Sequence, residues 1–132
     1  MILQLLFSFL VMMGLDGIWL GLIAKSHYYQ AYGHVLRLEN NQLQPIWWSA
    51  ILVYVFLVFG VYFYGLSYAK ESYLSAILHS ALFGLVVYGV YDFTCLALFR
   101  DWPIGMTLID WIWGGLLCSL TCAIVLLLVP AK

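Results

Sequence analysis

Residues 104–128 read IGMTLIDWIWGGLLCSLTCAIVLLL, a run in which Asp110 is the only charged side chain. A transmembrane helix needs about 20 consecutive and mostly apolar residues, so this run is long enough to cross a bilayer. Three further apolar runs of similar length lie at about 2–24, 46–68 and 74–99. The sequence therefore predicts an all-α integral membrane protein, built as a bundle of four transmembrane helices.

The composition supports the same class. The chain is 66% hydrophobic and 8% charged, whereas a soluble domain carries about 25% charged residues. The net charge of −1 gives no electrostatic reason to expect a nucleic-acid partner, and the partner we expect is the lipid bilayer. Because four helices use almost all of the 132 residues, we predict a single domain over residues 1–132.

The first and second apolar runs are joined by the longest connection, residues 25–45. Its apolar and polar side chains alternate at helical spacing, which predicts a short helix lying in the membrane interface. Tyrosine favours that depth. The apolar face would carry Tyr28, Tyr29, Tyr32, Val35 and Leu36, and the polar face His27, Gln30, His34 and Arg37.

Three aspartates interrupt the apolar runs, and none of the runs contains Lys or Arg. An ionised Asp near a helix centre costs about 2.5–3.5 kcal/mol on insertion scales, so such residues usually face the bundle interior. Asp16, Asp92 and Asp110 lie about six to eight residues from the helix ends that meet the first or third loop, or roughly 9–12 Å. We therefore expect the three carboxyls to share one layer of the membrane.

Two of these acids sit in the same short setting. Residues 15–21 read LDGIWLG and residues 109–115 read IDWIWGG. Because the two helices run antiparallel, we expect Trp19 and Trp113 to lie on opposite sides of the acid layer. Indole N–H groups are natural donors to buried carboxylates. Small residues predict close helix contacts, at Gly17 and Gly21 and at Gly114 and Cys118.

Three carboxylates in a low dielectric repel one another, so we expect at least one of them to carry a proton at neutral pH. Alternatively a cation joins them: Arg100 or Lys25 reaching inward, a histidine of the first loop, or a metal. His27 and His34 either form a solvated face or close over the acids. The acids and histidines lack tight ligand spacing, so we assign no metal site and leave any cofactor open.

Four segments resemble a family of small bacterial four-span membrane proteins, catalogued only as predicted membrane proteins with a domain of unknown function. They read LDGIWLG, HYYQAYG, YGVYDFTC and DWIWGG, and the resemblance covers essentially the whole chain. It implies a multi-pass protein of the bacterial inner (cytoplasmic) membrane and brings no established activity. This chain has Cys95 where the family pattern has Asn. The matching positions are Asp16, Trp19, Tyr29, Gly33, Tyr91, Asp92, Thr94, Asp110, Trp113 and Gly114.

We interpret the acids and aromatics as a buried pocket that binds, or modifies by acid–base chemistry, a lipid-like or small apolar molecule. No nucleophile–base pair or cofactor motif decides whether the protein is an enzyme. Two alternatives stay open: an oligomeric transporter that handles protons or cations, with Gly60 and Gly65 available to a homodimer, and a structural or accessory protein with the acids as interhelical glue. The candidate catalytic residues are Asp92, Asp110 and Asp16, and the candidate ligand-binding residues are Trp19, Tyr88, Tyr91, Thr94, Trp113, His27 and His34.

Overall fold

The computed structural model describes residues 1–130. Within them, four helices are long and apolar enough to cross a membrane. The predicted spans agree with these helices to within about two residues at each end, so the predicted fold class is confirmed. The helices are α1 (Ile2–Ile18, continued by a π-helical turn, Trp19–Ile23), α2 (Lys25–Tyr32), α3 (Trp47–Tyr64, continued by a 3₁₀ helix, Leu66–Lys70), α4 (Tyr73–Leu98) and α5 (Ile104–Leu128).

The first loop contains a helix and a small hairpin. The predicted helix exists as α2 but ends at Tyr32, and its position in the membrane interface stays a prediction. Two antiparallel strands follow, β1 (Leu38–Glu39) and β2 (Gln42–Leu43). Asn40 and Asn41 join them with φ of 49° and 63°. Asparagine tolerates this left-handed region, and a two-residue turn of this kind favours a hairpin.

The closest helix pair is the antiparallel hairpin of α4 and α5. Gly84 and Gly114 lie at the contact, where a Cβ on Gly84 would overlap the backbone of Gly114 and a Cβ on Gly114 would overlap the ring of Tyr88. The indole Nε1 of Trp111 donates to the carbonyl of Leu85 across the pair at 2.9 Å. The prediction of a close contact at Gly114 is confirmed, and this contact fixes how α4 and α5 face each other.

The other glycine predictions have mixed outcomes. A Cβ on Gly17 or Gly21 would meet no atom within 4 Å among the described residues, so the close contact expected there within the chain is wrong. Gly60 lies against Phe83 and Gly65 against Ser80. Both of these glycines are therefore used inside the bundle and are not free to form a homodimer interface.

The outer surface of the bundle is apolar. Large hydrophobic side chains are exposed on all four spanning helices, and α1 packs inward against α3 and α5. In a bilayer such side chains face lipid, whereas a soluble protein of this size seldom exposes so continuous an apolar surface. The core contains Met12, Leu57, Val58, Val61, Leu117, Val125 and Leu126.

Candidate functional site

A cavity of about 510 Å³ lies where α2 meets the hairpin of α4 and α5. Its walls are apolar and aromatic, and two carboxyl groups, those of Asp92 and Asp110, are its only acidic lining groups within the described residues. Asp92 lies six residues before the end of α4 and Asp110 six residues after the start of α5, so both acids come from the helix ends beside the third loop. The remaining lining residues are Tyr28, Tyr32, Val35, Leu36, Tyr91, Cys95, Phe99 and Trp102.

Asp92 is a buried carboxyl with few partners. Its side chain is 1% exposed, and apart from the neighbouring carboxyl of Asp110 neither of its oxygens has a hydrogen-bond partner among residues 1–130. The indole N–H of Trp102, which also lines the cavity, is likewise buried without a partner. Buried polar atoms in proteins are nearly always paired with protein or water, so an unpaired buried carboxyl needs an explanation. Because Asp92 lines the cavity, a bound group could provide the missing partner.

Asp110 differs from Asp92 because it has a donor. The hydroxyl of Tyr28, on α2, donates to Oδ1 of Asp110. Burial, followed by the charge of the nearby Asp110, raises the pKa of Tyr28 far above its usual range. Burial and the same acid also raise the pKa of Tyr32. Both phenols therefore keep their protons, and the bond from Tyr28 holds α2 over the end of α5.

Asp16 belongs to a separate polar cluster between α1, α3 and α5. Tyr54 donates its hydroxyl to Oδ2 of Asp16 at 2.6 Å, and Trp113 donates its indole N–H to Oδ1 at 2.9 Å. Asp16 is buried but does not line the cavity. The single site of three acids expected from the sequence is therefore divided: two acids line the cavity, and the third joins three helices.

Trp19 and Trp113 lie together. Their rings stack with centroids 4.4 Å apart and an interplanar angle of 10°. The prediction that they lie on opposite sides of the acid layer is wrong. The physical reason is the indole of Trp113, which reaches across to Asp16 on α1 and so brings its ring beside Trp19. Trp113 thus donates its hydrogen bond to Asp16 and not to Asp110, which is closer to it in the sequence.

The remaining candidate residues lie at the cavity, at the contact between α4 and α5, or on the surface. Tyr91 lines the cavity at its rim, and Tyr88 packs against Gly114. Thr94, His27 and His34 are exposed, and none of these three lines the cavity. The two histidines therefore do not close over the acids of the cavity, and His27 instead lines a second, smaller pocket with Trp19 and Ile109.

Sequence reasoning did not assign the cavity residues Tyr28, Tyr32 and Trp102 to the site. For Tyr28 and Tyr32 a signal existed, since they lie four residues apart on the apolar face of the loop helix. Trp102 lies in the short turn before α5, where no periodic pattern could place it.

No basic side chain among the described residues lines the cavity. Lys25 lies over the ring of Tyr29 at 5.6 Å from its centroid and so does not neutralise the acids, and Arg100 is exposed. Within residues 1–130, His, Cys, Asp and Glu form no group of three or more that could hold a metal ion. Lys25 and Arg100, which the sequence offered as counter-charges, therefore do not reach Asp92 and Asp110.

The fold and the site define a multi-pass membrane protein: four apolar spanning helices, with an acid-bearing cavity at one end of the bundle. Residues 1–127 match the family described as "Predicted membrane protein (DUF2177)", and the chain belongs to this family. No curated protein matches the chain. No solved structure matches it either.

Proposed function

We propose that the cavity binds a lipid-like or small amphipathic molecule, with the polar head of that molecule at Asp92 and Asp110. The observation that carries this proposal is the buried carboxyl of Asp92, which has no hydrogen-bond partner among the described residues apart from the carboxyl of Asp110. A ligand head that donates to this carboxyl would satisfy it. The volume of about 510 Å³ lies within the range of about 300–1,000 Å³ that is usual for small-molecule sites.

The rim of the cavity suits an apolar tail. Val35, Tyr91 and Phe99 line the cavity and are each more than half exposed. An aliphatic tail leaving past these side chains would pass from an apolar wall into the apolar surroundings of the bundle. This arrangement supports a molecule with one polar end and one apolar end rather than a compact polar solute.

Acid–base chemistry on the bound molecule is the finer form of the same proposal. Asp110 has a donor in Tyr28, and Asp92 has none, so the two neighbouring carboxyls differ in environment. Pairs of acids in unlike environments are suited to dividing the roles of acid and base. Asp16 already holds two donors, so we assign it a positioning role and no catalytic one.

We further propose that residues 1–132 form one domain and that the protein is located in the bacterial inner membrane as a multi-pass protein. The four apolar helices support the membrane location, because a helix satisfies its own backbone hydrogen bonds in lipid. The last two residues of the proposed domain lie outside the described residues.

Native mass spectrometry of the protein extracted in a mild detergent tests the proposed binding. We compare wild type with Asp92→Asn, which keeps the size of the side chain. Asp101→Asn is the matched control, since Asp101 is exposed in the third loop and its φ of 59° suits Asn as well as Asp. Wild type and Asp101→Asn should carry the same bound mass, and Asp92→Asn should lose it. An unchanged bound mass in Asp92→Asn, or no bound mass in any of the three, would exclude the proposal.

A second candidate function is passage of protons, and buried hydroxyl groups favour it. Ser8, Ser80 and Thr121 are completely buried, and their hydroxyls have no partner among the described residues. They lie roughly 12–18 Å along their helices from the aspartates, towards the other end of the bundle. Proton flux into liposomes that falls in both Thr121→Val and Asp16→Asn would support this candidate, and wild-type flux no faster than that of empty liposomes would remove it.

A further inference from the structure

We infer that the polar head taken by the cavity is an ammonium group with N–H donors, carried on an apolar molecule. This inference rests on the proposed function and names the chemical class of the ligand. It is drawn from three features of the cavity: its charge, its hydrogen-bonding capacity and its aromatic walls.

The first feature is an uncompensated negative charge. Asp92 and Asp110 line one cavity, and no basic side chain among the described residues lines it with them. Two ionised carboxylates placed side by side away from bulk water repel each other, so a single proton shared by the pair is the favoured state of the empty cavity. The pair then keeps one negative charge, and one ammonium group neutralises it. An anionic head would be repelled.

The second feature is the unmet acceptors of Asp92. Apart from the proton that the two acids share, the oxygens of Asp92 have no donor among residues 1–130, whereas Asp110 also accepts from Tyr28. The lining contains one unpaired indole N–H, that of Trp102, but no basic side chain. A carboxylate only accepts hydrogen bonds, and a primary ammonium group offers three donors and no acceptor. An alcohol head offers one donor and a carboxylate head offers none. Of these heads, the ammonium therefore matches the unmet capacity best.

The third feature is the aromatic wall around the acids. The ring centroids of Tyr32 and Trp102 lie 4.9 Å apart, and those of Phe99 and Trp102 lie 5.6 Å apart, so these rings form a continuous surface. Aromatic faces attract cations, and walls of this kind recognise ammonium ligands. Tyr28 and Tyr91 add two more rings to the lining.

A set of dodecyl ligands that differ only in the head tests the inference. Dodecylamine, dodecanol and dodecanoate are titrated into wild type, Asp92→Asn and Asp101→Asn, each in phosphatidylcholine nanodiscs. Each ligand is compared across the three protein variants, so that its partitioning into the lipid of the nanodisc is the same in every measurement and cancels. We expect Asp92→Asn to weaken dodecylamine binding by about 10- to 100-fold, as for loss of a charge-assisted hydrogen bond. Dodecanol should change by less than about threefold, and Asp101→Asn should match wild type.

The outcomes separate the two proposals. If Asp92→Asn weakens dodecanol and dodecylamine equally, or weakens dodecanoate most, the ammonium inference is wrong and the cavity remains a binding site. If no dodecyl ligand responds to Asp92→Asn, both proposals fail. A further arm adds phosphatidylethanolamine to the nanodiscs: competition with dodecylamine identifies a lipid head as the ammonium source, and unchanged dodecylamine binding identifies a free amine.

Discussion

Replacing Asp16 and Asp92 by leucine should change stability in different directions. Leucine has nearly the shape of aspartate but neither charge nor hydrogen-bonding groups. Asp16→Leu leaves Tyr54 and Trp113 without their acceptor. Asp92→Leu removes a buried carboxyl that has no partner among the described residues apart from the carboxyl of Asp110. Removing one member of a hydrogen-bonded pair is costly, whereas removing an unsatisfied polar group is not.

The expected change in the free energy of unfolding follows from the two hydrogen bonds that Asp16 accepts. Interhelical hydrogen bonds in membrane bundles average about 0.6 kcal/mol and reach about 1.7 kcal/mol. Both bonds of Asp16 go to a carboxyl group, which places them in the upper part of that range. We therefore expect Asp16→Leu to lower the free energy of unfolding by about 2–3 kcal/mol. Asp92→Leu should leave that free energy unchanged or raise it by about 1 kcal/mol.

Reversible unfolding in mixed micelles with increasing sodium dodecyl sulfate measures these free energies. Tyr54→Phe provides a further control, because combining it with Asp16→Leu gives a double-mutant cycle whose coupling energy should be about 1–1.7 kcal/mol. If Asp92→Leu destabilises the protein as much as Asp16→Leu does, the division of the acids between a structural cluster and a binding cavity is refuted.

Three other predictions test the packing around the site. Gly84→Ala should lower the free energy of unfolding by about 1–3 kcal/mol, because the new methyl meets the backbone of α5; Gly14→Ala, in open space, should cost far less, and equal losses would contradict the close helix contact. Tyr28→Phe should speed hydrogen exchange in α2 with little change in the spanning helices, because α2 loses its bond to Asp110; unchanged exchange would mean that this bond does not hold α2. Trp19→Phe should remove a tryptophan couplet from the circular dichroism spectrum, because the stacked pair is broken; a persisting couplet would argue against the stack.

The four spans could be predicted from the sequence because a transmembrane helix depends mainly on its own residues. Each span is an uninterrupted apolar run, and the bilayer requires little more than length and apolarity. The sequence also predicted that Asp92 and Asp110 would share one layer, because both lie close to the helix ends that meet at the third loop. Both acids do line one cavity.

The partners of Asp16 could not be read from local spacing. Trp113 lies three residues from Asp110, yet its indole bonds to Asp16 on another helix, and Tyr54 reaches the same acid from a third. Such contacts depend on how each helix is rotated, and nearly uniform apolar helices carry little periodicity to reveal that rotation. The hairpin at Asn40 and Asn41 was not predicted, although its two-residue turn is a local feature of the sequence.

Photolabelling tests most directly whether the cavity holds an apolar molecule through Asp92. A dodecyl probe with a diazirine in its chain is used twice, once with an amine head and once with an alcohol head. The labelled peptides are then mapped by mass spectrometry in wild type and in Asp92→Asn. Binding in the cavity predicts that at least one probe labels residues 91–102 and 28–36 in wild type and loses that labelling in Asp92→Asn. Labelling spread along the outer faces of all four spanning helices, and unchanged in Asp92→Asn, would contradict it.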